Sequence, residues 1–287
     1  MKHSVLYLRG ISQIFLLSNP VIGLMMVITL ALFSSNLLLG CLLGALVGVI
    51  TASLVELDKN KIDLGLFGYN PALLGMAMLT FYEISLTVCI VIVLASIFTT
   101  LITSKISTLL GPKIPPYTSP YILTAWLVIL CSPYLNLIPV STITHVQAIT
   151  IEPFTPIKGL GQVIFLDSVF ASLLCLIALA IHSFRMAIWA VFASALSLVF
   201  ALGLGFDPVA IEQGMYSYNA VLVCIVLVEK CKSKLVIITI GTCLSVLITH
   251  AFSFLNLPAL TAPFVLSVWI IYWLKILYRP IFPQFTL

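Results

Sequence analysis

Long runs of apolar residues, broken by short polar stretches, cover most of the chain. About 20 apolar residues in a helix cross the hydrocarbon core of a bilayer, so runs of this length predict membrane-spanning helices. The first half has one short apolar segment, at about 5–17, and longer ones near 20–35, 37–55, 66–82, 84–104 and 119–137. The second half has a short segment near 158–167 and longer ones near 168–183, 186–206, 214–228, 235–254 and 262–278. Each half is therefore predicted to contain five crossings and one piece too short to cross.

The composition supports a membrane location, because 62% of the 287 residues are apolar and only 8% are charged. Soluble domains carry about 25% charged residues. Continuous apolar runs favour helices over a β-barrel, whose strands alternate between apolar and polar positions. We therefore predict an all-α integral membrane protein. Its seven cysteines show no CxxC spacing and are expected to be reduced thiols, buried in lipid or in protein.

Three polar motifs occur twice, in the same order and at nearly constant spacing. Two recur 149 residues later and the third recurs 143 residues later, a register that chance similarity between apolar segments would not keep. The matched residues are Arg9-Gly10 and Gln13 with Lys158-Gly159 and Gln162, Tyr69-Asn70 with Tyr218-Asn219, and Thr118 and Pro120 with Thr261 and Pro263. The sequence predicts a tandem duplication, with a first repeat at 1–145, a second at 146–287 and a single pore between them.

The distribution of charge tests the predicted number of crossings. An odd number in each half gives the two repeats opposite orientations, as in many transporters. With a cytoplasmic N-terminus, the positive-inside rule is satisfied, because the cytoplasmic side receives Lys59, Lys61, Lys105, Lys113, Arg185, Lys230, Lys232, Lys234, Lys275 and Arg279. The opposite side receives four acidic residues and one lysine, namely Glu83, Glu152, Asp207, Glu212 and Lys158. We therefore predict inverted repeats with both termini in the cytoplasm.

The two short segments are predicted to be re-entrant half-helices. Backbone that ends at membrane depth is tolerated only where it lines a cavity or is buried in protein. Gly10 and the Asn19-Pro20 pair mark the breaks around the first segment. The last carbonyl groups of a helix have no partner within it. Two half-helices entering from opposite sides would therefore offer uncharged hydrogen-bond acceptors along a shared path.

The predicted spans hold almost no ionisable side chains, although ion and proton pathways usually place them there. Of the four histidines, only His250 lies within an apolar run, near its end, where a local hydrogen bond is the simpler explanation. No metal-ligand spacing, nucleotide-binding loop or nucleophile–base pair occurs, so the sequence argues against an enzyme and predicts no cofactor or metal. The repeated Gln, Tyr, Asn and Thr residues are all neutral. A pore lined by neutral groups favours a planar uncharged amide over hydrated ions.

Each repeated polar residue also has a structural explanation. The glutamines would cap half-helices or bridge neighbouring helices, and the tyrosines would lie at the membrane interface. The threonines would bond to carbonyl groups freed by Pro120 and Pro263. For Asn70 and Asn219 we favour a structural role, stabilising the turn at a helix start. A further series, Gly40, Gly44 and Gly48, has the small-residue spacing of closely packed helices.

Four motifs, matched in register, resemble those of the urea transporter family. They are Arg9-Gly10 with Gln13, Asn19-Pro20 with Gly23, the segment 65–70, and Leu257-Pro258 with Thr261 and Pro263-Phe264, and the resemblance extends over about residues 7–275. It implies a bacterial-type, single-unit urea channel of the inner membrane, a homotrimer in the lipid bilayer with one pore per subunit. In such a pore, a ladder of backbone carbonyl oxygens connects two slots that hold urea flat, and two threonines face the constriction.

The resemblance also assigns pore residues by motif position. It places Gln13, Leu16, Tyr69 and Leu73 in one slot, Gln162, Val163, Phe165, Tyr218 and Leu222 in the other, and Thr118 and Thr261 at the centre. The ladder carbonyls are expected near 16–18 and 165–167. The chain departs from the family at two places: Leu16 stands where Phe is usual, and Asp167-Ser168-Val169 replaces Asp-Asn-Pro, which puts the second break in question.

The leading hypothesis is passive, bidirectional and selective permeation of urea. One alternative is a channel for another small neutral solute, such as ammonia, water or a short amide. A second alternative is an ion-coupled secondary transporter, since inverted repeats are common in that class. No nucleic-acid partner is expected.

Overall fold

The computed structural model describes residues 2–111, 114–141, 152–230, 234–255 and 257–277. Every regular element within these ranges is a helix, in agreement with the predicted all-α class. The helices fall into two compact units, Met1–Gln147 and Ala148–Leu287. The predicted repeat boundary between residues 145 and 146 lies outside the described residues. Three of the residues predicted on the cytoplasmic side, Lys113, Lys232 and Arg279, also lie outside the described residues, as do the side chains of Lys234 and Lys275.

The first unit is built around one buried helix. Its described helices are α1 Lys2–Ser12, α2 Pro20–Phe33, α3 Ser35–Leu54, α4 Lys59–Asp63, α5 Tyr69–Phe81, α6 Leu86–Leu110 and α7 Ser119–Cys131. Helix α5 packs against α3, α6 and α7 and buries every side chain from Tyr69 to Leu79. Side-chain caps set the starts of α3 and α6, since Ser34 and Ser85 accept hydrogen bonds from the backbone N–H groups of Leu37 and Val88.

The second unit has the same order of elements. Its described helices are α8 Thr155–Gln162, α9 Val169–His182, α10 Phe184–Gly203, α11 Pro208–Glu212, α12 Tyr218–Lys230, α13 Lys234–Phe252 and α14 Ala262–Leu277. Helices α9 to α12 begin and end 149 residues after α2 to α5. Left-handed backbone recurs as well: φ is 61° at both Leu16 and Phe165, and 47° at both Tyr117 and Leu260.

Four helices in the described part of the chain are long and apolar enough to cross a membrane alone. They are Ser35–Leu54, Leu86–Leu110, Phe184–Gly203 and Leu235–Phe252. The buried helices α5 and α12 have 13 residues each, a length of about 20 Å. The hydrocarbon core is roughly 30 Å thick, so these two helices are too short to cross it unaided. The number of ten crossings therefore stays a prediction.

Two short helices, α4 and α11, were not predicted. Asp58 Oδ1 accepts the N–H of Asn60 at 3.0 Å, and Asp207 accepts the N–H groups of Val209 and Ala210, both at 3.2 Å. Five residues are too few to produce a hydrophobic period. Each of these helices leads into the turn before the central buried helix of its unit.

Helices α3 and α5 approach until their backbones touch. A Cβ atom added to Gly40 would lie 2.3 Å from the carbonyl oxygen of Gly75, and one added to Gly44 would lie 2.0 Å from that of Pro71. Gly48 lies against the carbonyl oxygen of Phe67 in the same way. The close packing predicted from the glycine spacing is confirmed.

Candidate functional site

The first unit contains the predicted break after its short N-terminal helix. A 3₁₀ turn at Gln13–Phe15 ends α1, and the left-handed Leu16 turns the chain. The segments Ser4–Phe15 and Pro20–Phe33 meet at 78°, as in a broken span or a re-entrant loop. Asn19 then caps α2, its Oδ1 accepting the N–H of Val21 at 2.9 Å. The Asn19-Pro20 pair therefore restarts the helix, as the sequence predicts.

One hydroxyl group, not singled out from the sequence, holds this break together. Ser12 Oγ lies 2.8 Å from the carbonyl oxygen of Arg9 and 2.5 Å from that of Leu17, and it accepts the N–H of Asn19 at 3.0 Å. Gly23 lies beside it on α2, where an added Cβ would meet the carbonyl oxygen of Leu8 at 2.0 Å. The break thus needs a hydroxyl on α1 and a glycine on α2.

The second unit has the equivalent break although it lacks the Asn-Pro pair. Phe165 takes the left-handed conformation after α8, and Ser168 caps α9 by accepting the N–H of Ala171. The hydroxyl and the glycine have exchanged positions: Gly161 stands where the first unit has Ser12, and Ser172 stands where it has Gly23. Ser172 Oγ accepts the N–H of Gly161 at 3.2 Å and donates to the carbonyl oxygen of Ser168 at 2.8 Å. The break that the sequence had put in question is present.

Each break carries one of the predicted pore glutamines. Gln13 is 8% exposed, and its Nε2 donates to the carbonyl oxygen of Leu64 at 3.0 Å. Ser18 Oγ donates to the same oxygen at 3.1 Å. Gln162 Nε2 instead contacts the sulfur of Met215 at 2.8 Å, and its Oε1 is buried with no protein partner in the described residues. Both amides are therefore held by the turn that precedes the central buried helix of their unit.

The repeated Tyr-Asn pairs anchor the backbone immediately before the predicted threonines. Tyr69 donates its hydroxyl to the carbonyl oxygen of Tyr117, and Asn70 Nδ2 donates to the same oxygen at 3.2 Å. Left-handed backbone at Tyr117 accompanies this arrangement. Both tyrosine rings of the repeat, Tyr69 and Tyr218, are buried, so a place at the membrane interface does not explain them.

The same anchor in the second unit shows which helix start the asparagines stabilise. Tyr218 and Asn219 both donate to the carbonyl oxygen of Leu260, Asn219 at 3.2 Å, and Asn219 Oδ1 accepts the N–H of Phe264 at 3.2 Å. Asn70 and Asn219 therefore have the predicted structural role at a helix start, but that helix is α7 or α14 and not their own.

The remaining predicted pore residues lie on the same elements within each unit. Helix α5 packs against the 3₁₀ turn and against α7, and α12 packs against α8 and α14. Buried residues on these elements are Leu73, Thr118, Val163, Leu222 and Thr261, while Leu16 and Phe165 are half-buried at the breaks. Each unit thus brings its predicted glutamine, tyrosine and threonine elements together through one central helix.

The second unit adds a charged network that motif matching did not single out. Lys158 Nζ on α8 lies 2.7 Å from Glu212 Oε1 and 3.4 Å from Asp167 Oδ1, and Thr155 Oγ1 donates to Glu212 Oε2 at 2.7 Å. The first unit has no such pair in these positions, because Arg9 donates to the backbone carbonyl of Asp63 at 3.2 Å. Burial alone would raise the pKa of Glu212, but the hydrogen bonds from Lys158 and Thr155 outweigh it and the pKa lies below its ordinary value.

We expect the Glu212→Gln substitution to lower the melting temperature of the detergent-solubilised protein by a few degrees, or roughly 1–2 kcal/mol. Because the folded pKa is depressed, the carboxylate contributes fully above the ordinary glutamate pKa of about 4.3. Its contribution is lost as the pH falls through the lower folded value. Melting curves of wild type and variant should therefore differ equally at pH 7 and pH 5 and converge only below about pH 4. Exposed Glu83, changed to Gln, is the control; convergence near pH 6 would contradict the prediction.

Comparison with known proteins identifies the family of the chain. A family model described as urea transporter matches residues 5–276. The chain belongs to the urea transporter family. The predicted resemblance is therefore confirmed over nearly the whole chain. The family is one of transporters and not of enzymes.

Mammalian members of the urea transporter family align with most of the chain. Urea transporter 1 of Ovis aries and of Capra hircus are each 26% identical over 237 residues, and urea transporter 1 of Rattus norvegicus is 27% identical over 239 residues. Each match covers 76% of this chain and 61% of the relative. The chain thus spans about three fifths of the length of these relatives.

Proposed function

We propose that the protein is a channel for passive, bidirectional and selective permeation of urea. The observation that carries this proposal is the pair of helix breaks, each with a neutral amide side chain at a left-handed turn, in a chain of the urea transporter family. Neutral donors and acceptors match the N–H groups and the carbonyl oxygen of urea. They provide no charge to replace the hydration shell of an ion.

The proposed pore combines backbone and side-chain groups. Carbonyl oxygens near 16–18 and 165–167 form the ladder, since the left-handed Leu16 and Phe165 release the chain from helical hydrogen bonding at these points. The first slot contains Gln13, Leu16, Tyr69 and Leu73, and the second contains Gln162, Val163, Phe165, Tyr218 and Leu222. Thr118 and Thr261 face the constriction. The tyrosine hydroxyls are already bonded to Tyr117 and Leu260, so the rings form the slots by their flat faces.

The proposed architecture is two inverted repeats, 1–145 and 146–287, each with five spanning helices and one re-entrant half-helix. The recurrence of helix bounds and of left-handed residues at an offset of 149 supports the duplication. We further propose a homotrimer in the bacterial inner membrane, with both termini in the cytoplasm and one pore per subunit. Short helices such as α5 and α12 would then be enclosed by protein, which permits a length below that of a span.

Stopped-flow light scattering of proteoliposomes tests the function. Vesicles with protein are mixed into urea, and the rate of solute entry is compared with that of protein-free vesicles at the same lipid composition. Urea entry no faster than in the protein-free vesicles would refute the proposal. Matched gradients of formamide, ammonia and water separate a urea channel from a channel for another neutral solute. A dependence of urea flux on a sodium or proton gradient would instead indicate a coupled transporter.

The Thr118→Val substitution is expected to lower urea permeability about threefold to tenfold. Valine keeps the volume of threonine and removes the hydroxyl that would bond to urea at the constriction. Thr108 is the control, because it is exposed on α6 and its Oγ1 bonds only within its own helix, to the carbonyl oxygen of Ser104 at 3.0 Å. Equal permeabilities of Thr118→Val and Thr108→Val, measured in the same vesicles, would show that Thr118 is structural.

A further inference from the structure

The acceptor for the Gln162 amide is a methionine sulfur fixed by the turn before α12. Gly214 has a φ of 75°, and a Cβ added to it would lie 3.0 Å from both Gly159 N and Lys158 C. Only glycine fits this approach, so the turn lies directly on α8. Met215, the next residue, places its sulfur 2.8 Å from Gln162 Nε2.

In the first unit, a different chemical group accepts the hydrogen bond from the equivalent glutamine. Gln13 Nε2 donates to the backbone carbonyl of Leu64, which also accepts Ser18 Oγ. The residue at the position of Met215 is Leu66, which has no acceptor in its side chain. A backbone carbonyl is a strong acceptor and a thioether is a weak one. The second unit therefore holds its glutamine less firmly and through a side chain that a single substitution can remove.

The other end of the Gln162 amide has no partner within the described residues. Its Oε1 is buried, and a buried acceptor left without a donor is costly. Within the described residues, the amide is therefore held by hydrogen bonding at its Nε2 end alone, through the sulfur of Met215.

We propose that Met215 is a positioning residue for Gln162. Its thioether accepts the Nε2–H group and thereby fixes the orientation of the amide in the second slot. This inference rests on the proposed function, since it is there that Gln162 is assigned to a slot for urea. Met215 acts through Gln162 and does not need to touch urea itself.

The same contact would allow the second slot to be modified by oxidation of the Met215 sulfur. Met215 is 37% exposed, whereas Met25 is half-buried and Met26, Met76, Met78 and Met186 are buried. A hydroperoxide transfers one oxygen atom to a thioether: the S–O bond forms as the O–O bond breaks, the sulfur loses two electrons to the peroxide, and hydrogen peroxide leaves as water. The resulting sulfoxide is larger and is a stronger acceptor, so it would shift the Gln162 amide.

Urea permeability of reconstituted variants tests the inference. Met215→Leu keeps the volume and removes the acceptor, and it should lower urea permeability about threefold to tenfold. Met215→Gln restores an acceptor of similar reach and should retain most of the wild-type rate. Buried Met186, changed to Leu, is the control for a methionine-to-leucine exchange. Loss of permeability in Met215→Gln equal to that in Met215→Leu would overturn the inference.

A double-substitution cycle separates positioning from a general structural role. If Met215 acts through Gln162, then Met215→Leu should change nothing further when added to Gln162→Leu. Independent effects would multiply, and that result would overturn the inference. Dilute hydrogen peroxide should alter urea permeability in the wild type and not in Met215→Leu. Both proteins carry the same cysteines, so the comparison between them removes any effect of cysteine oxidation. An equal response of the two proteins would count against Met215.

The same measurements distinguish failure of the proposed function from failure of this inference. Wild-type vesicles that pass urea no faster than protein-free vesicles would refute the channel and the inference together. If Gln162→Leu reduces the urea flux of the wild type and Met215→Leu leaves it unchanged, only the positioning role of Met215 is refuted.

Discussion

Replacing Gly44 with alanine is expected to cost about 3 kcal/mol or more, and so to abolish most correctly folded protein. The new Cβ would lie 2.0 Å from the carbonyl oxygen of Pro71 on α5. This neighbour is backbone, so no side chain can rotate away, and α3 would have to move off the helix that carries Tyr69 and Leu73. Size-exclusion chromatography of the detergent-solubilised protein should show loss of the monodisperse peak, with a fall in the recovered fraction.

A second glycine in a helix provides the matched control for this substitution. Gly203 lies at the end of α10, and an added Cβ would have no heavy atom within 4 Å. Gly203→Ala should therefore leave the elution profile unchanged or raise the melting temperature slightly, because alanine has the higher helix propensity. The corresponding residue to Gly44 in the second unit is Ala193, so α10 and α12 already accommodate a Cβ there. A normal profile for Gly44→Ala would mean that α3 and α5 are not in backbone contact.

Replacing Gln162 with leucine is expected to lower urea permeability about tenfold or more, with little effect on folding. The substitution removes both polar atoms of the proposed slot while keeping a similar volume. In the described residues, the side chain of Gln162 makes one hydrogen bond, to a weak thioether acceptor, and leaves Oε1 without a hydrogen-bond partner. Leucine consequently removes an unsatisfied polar atom and should not reduce the melting temperature.

The measurement is the rate of urea entry in proteoliposomes containing equal amounts of folded protein. Gln213→Leu is the control, since Gln213 is exposed at the end of α11 in the same unit. Water and ammonia permeabilities should change less than that of urea, because these solutes depend less on a slot that holds a flat amide. Unchanged urea flux in Gln162→Leu would remove Gln162 from the pore.

The helices and the first break could be predicted from the sequence because their signals are local. Apolar runs marked the long helices, and Gly10 with Asn19-Pro20 marked the break after α1. The second break lacks the Asn-Pro signal, and the sequence left it in question. It forms nonetheless because Phe165 accepts a left-handed conformation and Ser172 supplies the stabilising hydroxyl. A signal for this was available in the exchange of serine and glycine between the two halves.

The features that the sequence did not predict depend on contacts between distant residues. Asn70 bonds to a carbonyl 47 residues away, and no local pattern reveals that partner. Helix α6 continues to Leu110, beyond the predicted end near residue 104, because hydropathy follows the lipid boundary and not the hydrogen bonds that end a helix. The acceptors of Gln13 and Gln162 differ in kind although the two glutamines match in sequence.

The exchanged serine and glycine constrain how either half can change over time. At the first bend the serine lies on the incoming helix, and at the second bend it lies on the outgoing one. Substituting Ser for Gly161 alone would force its Cβ to within 2.6 Å of Ser172 Oγ. Substituting Gly for Ser172 alone would remove the hydroxyl that bonds to the N–H of Gly161 and to the carbonyl oxygen of Ser168. Neither arrangement can convert to the other by one tolerated substitution. The two bends are chemically equivalent alternatives separated by a defective intermediate, so substitutions at these paired positions should be inherited together.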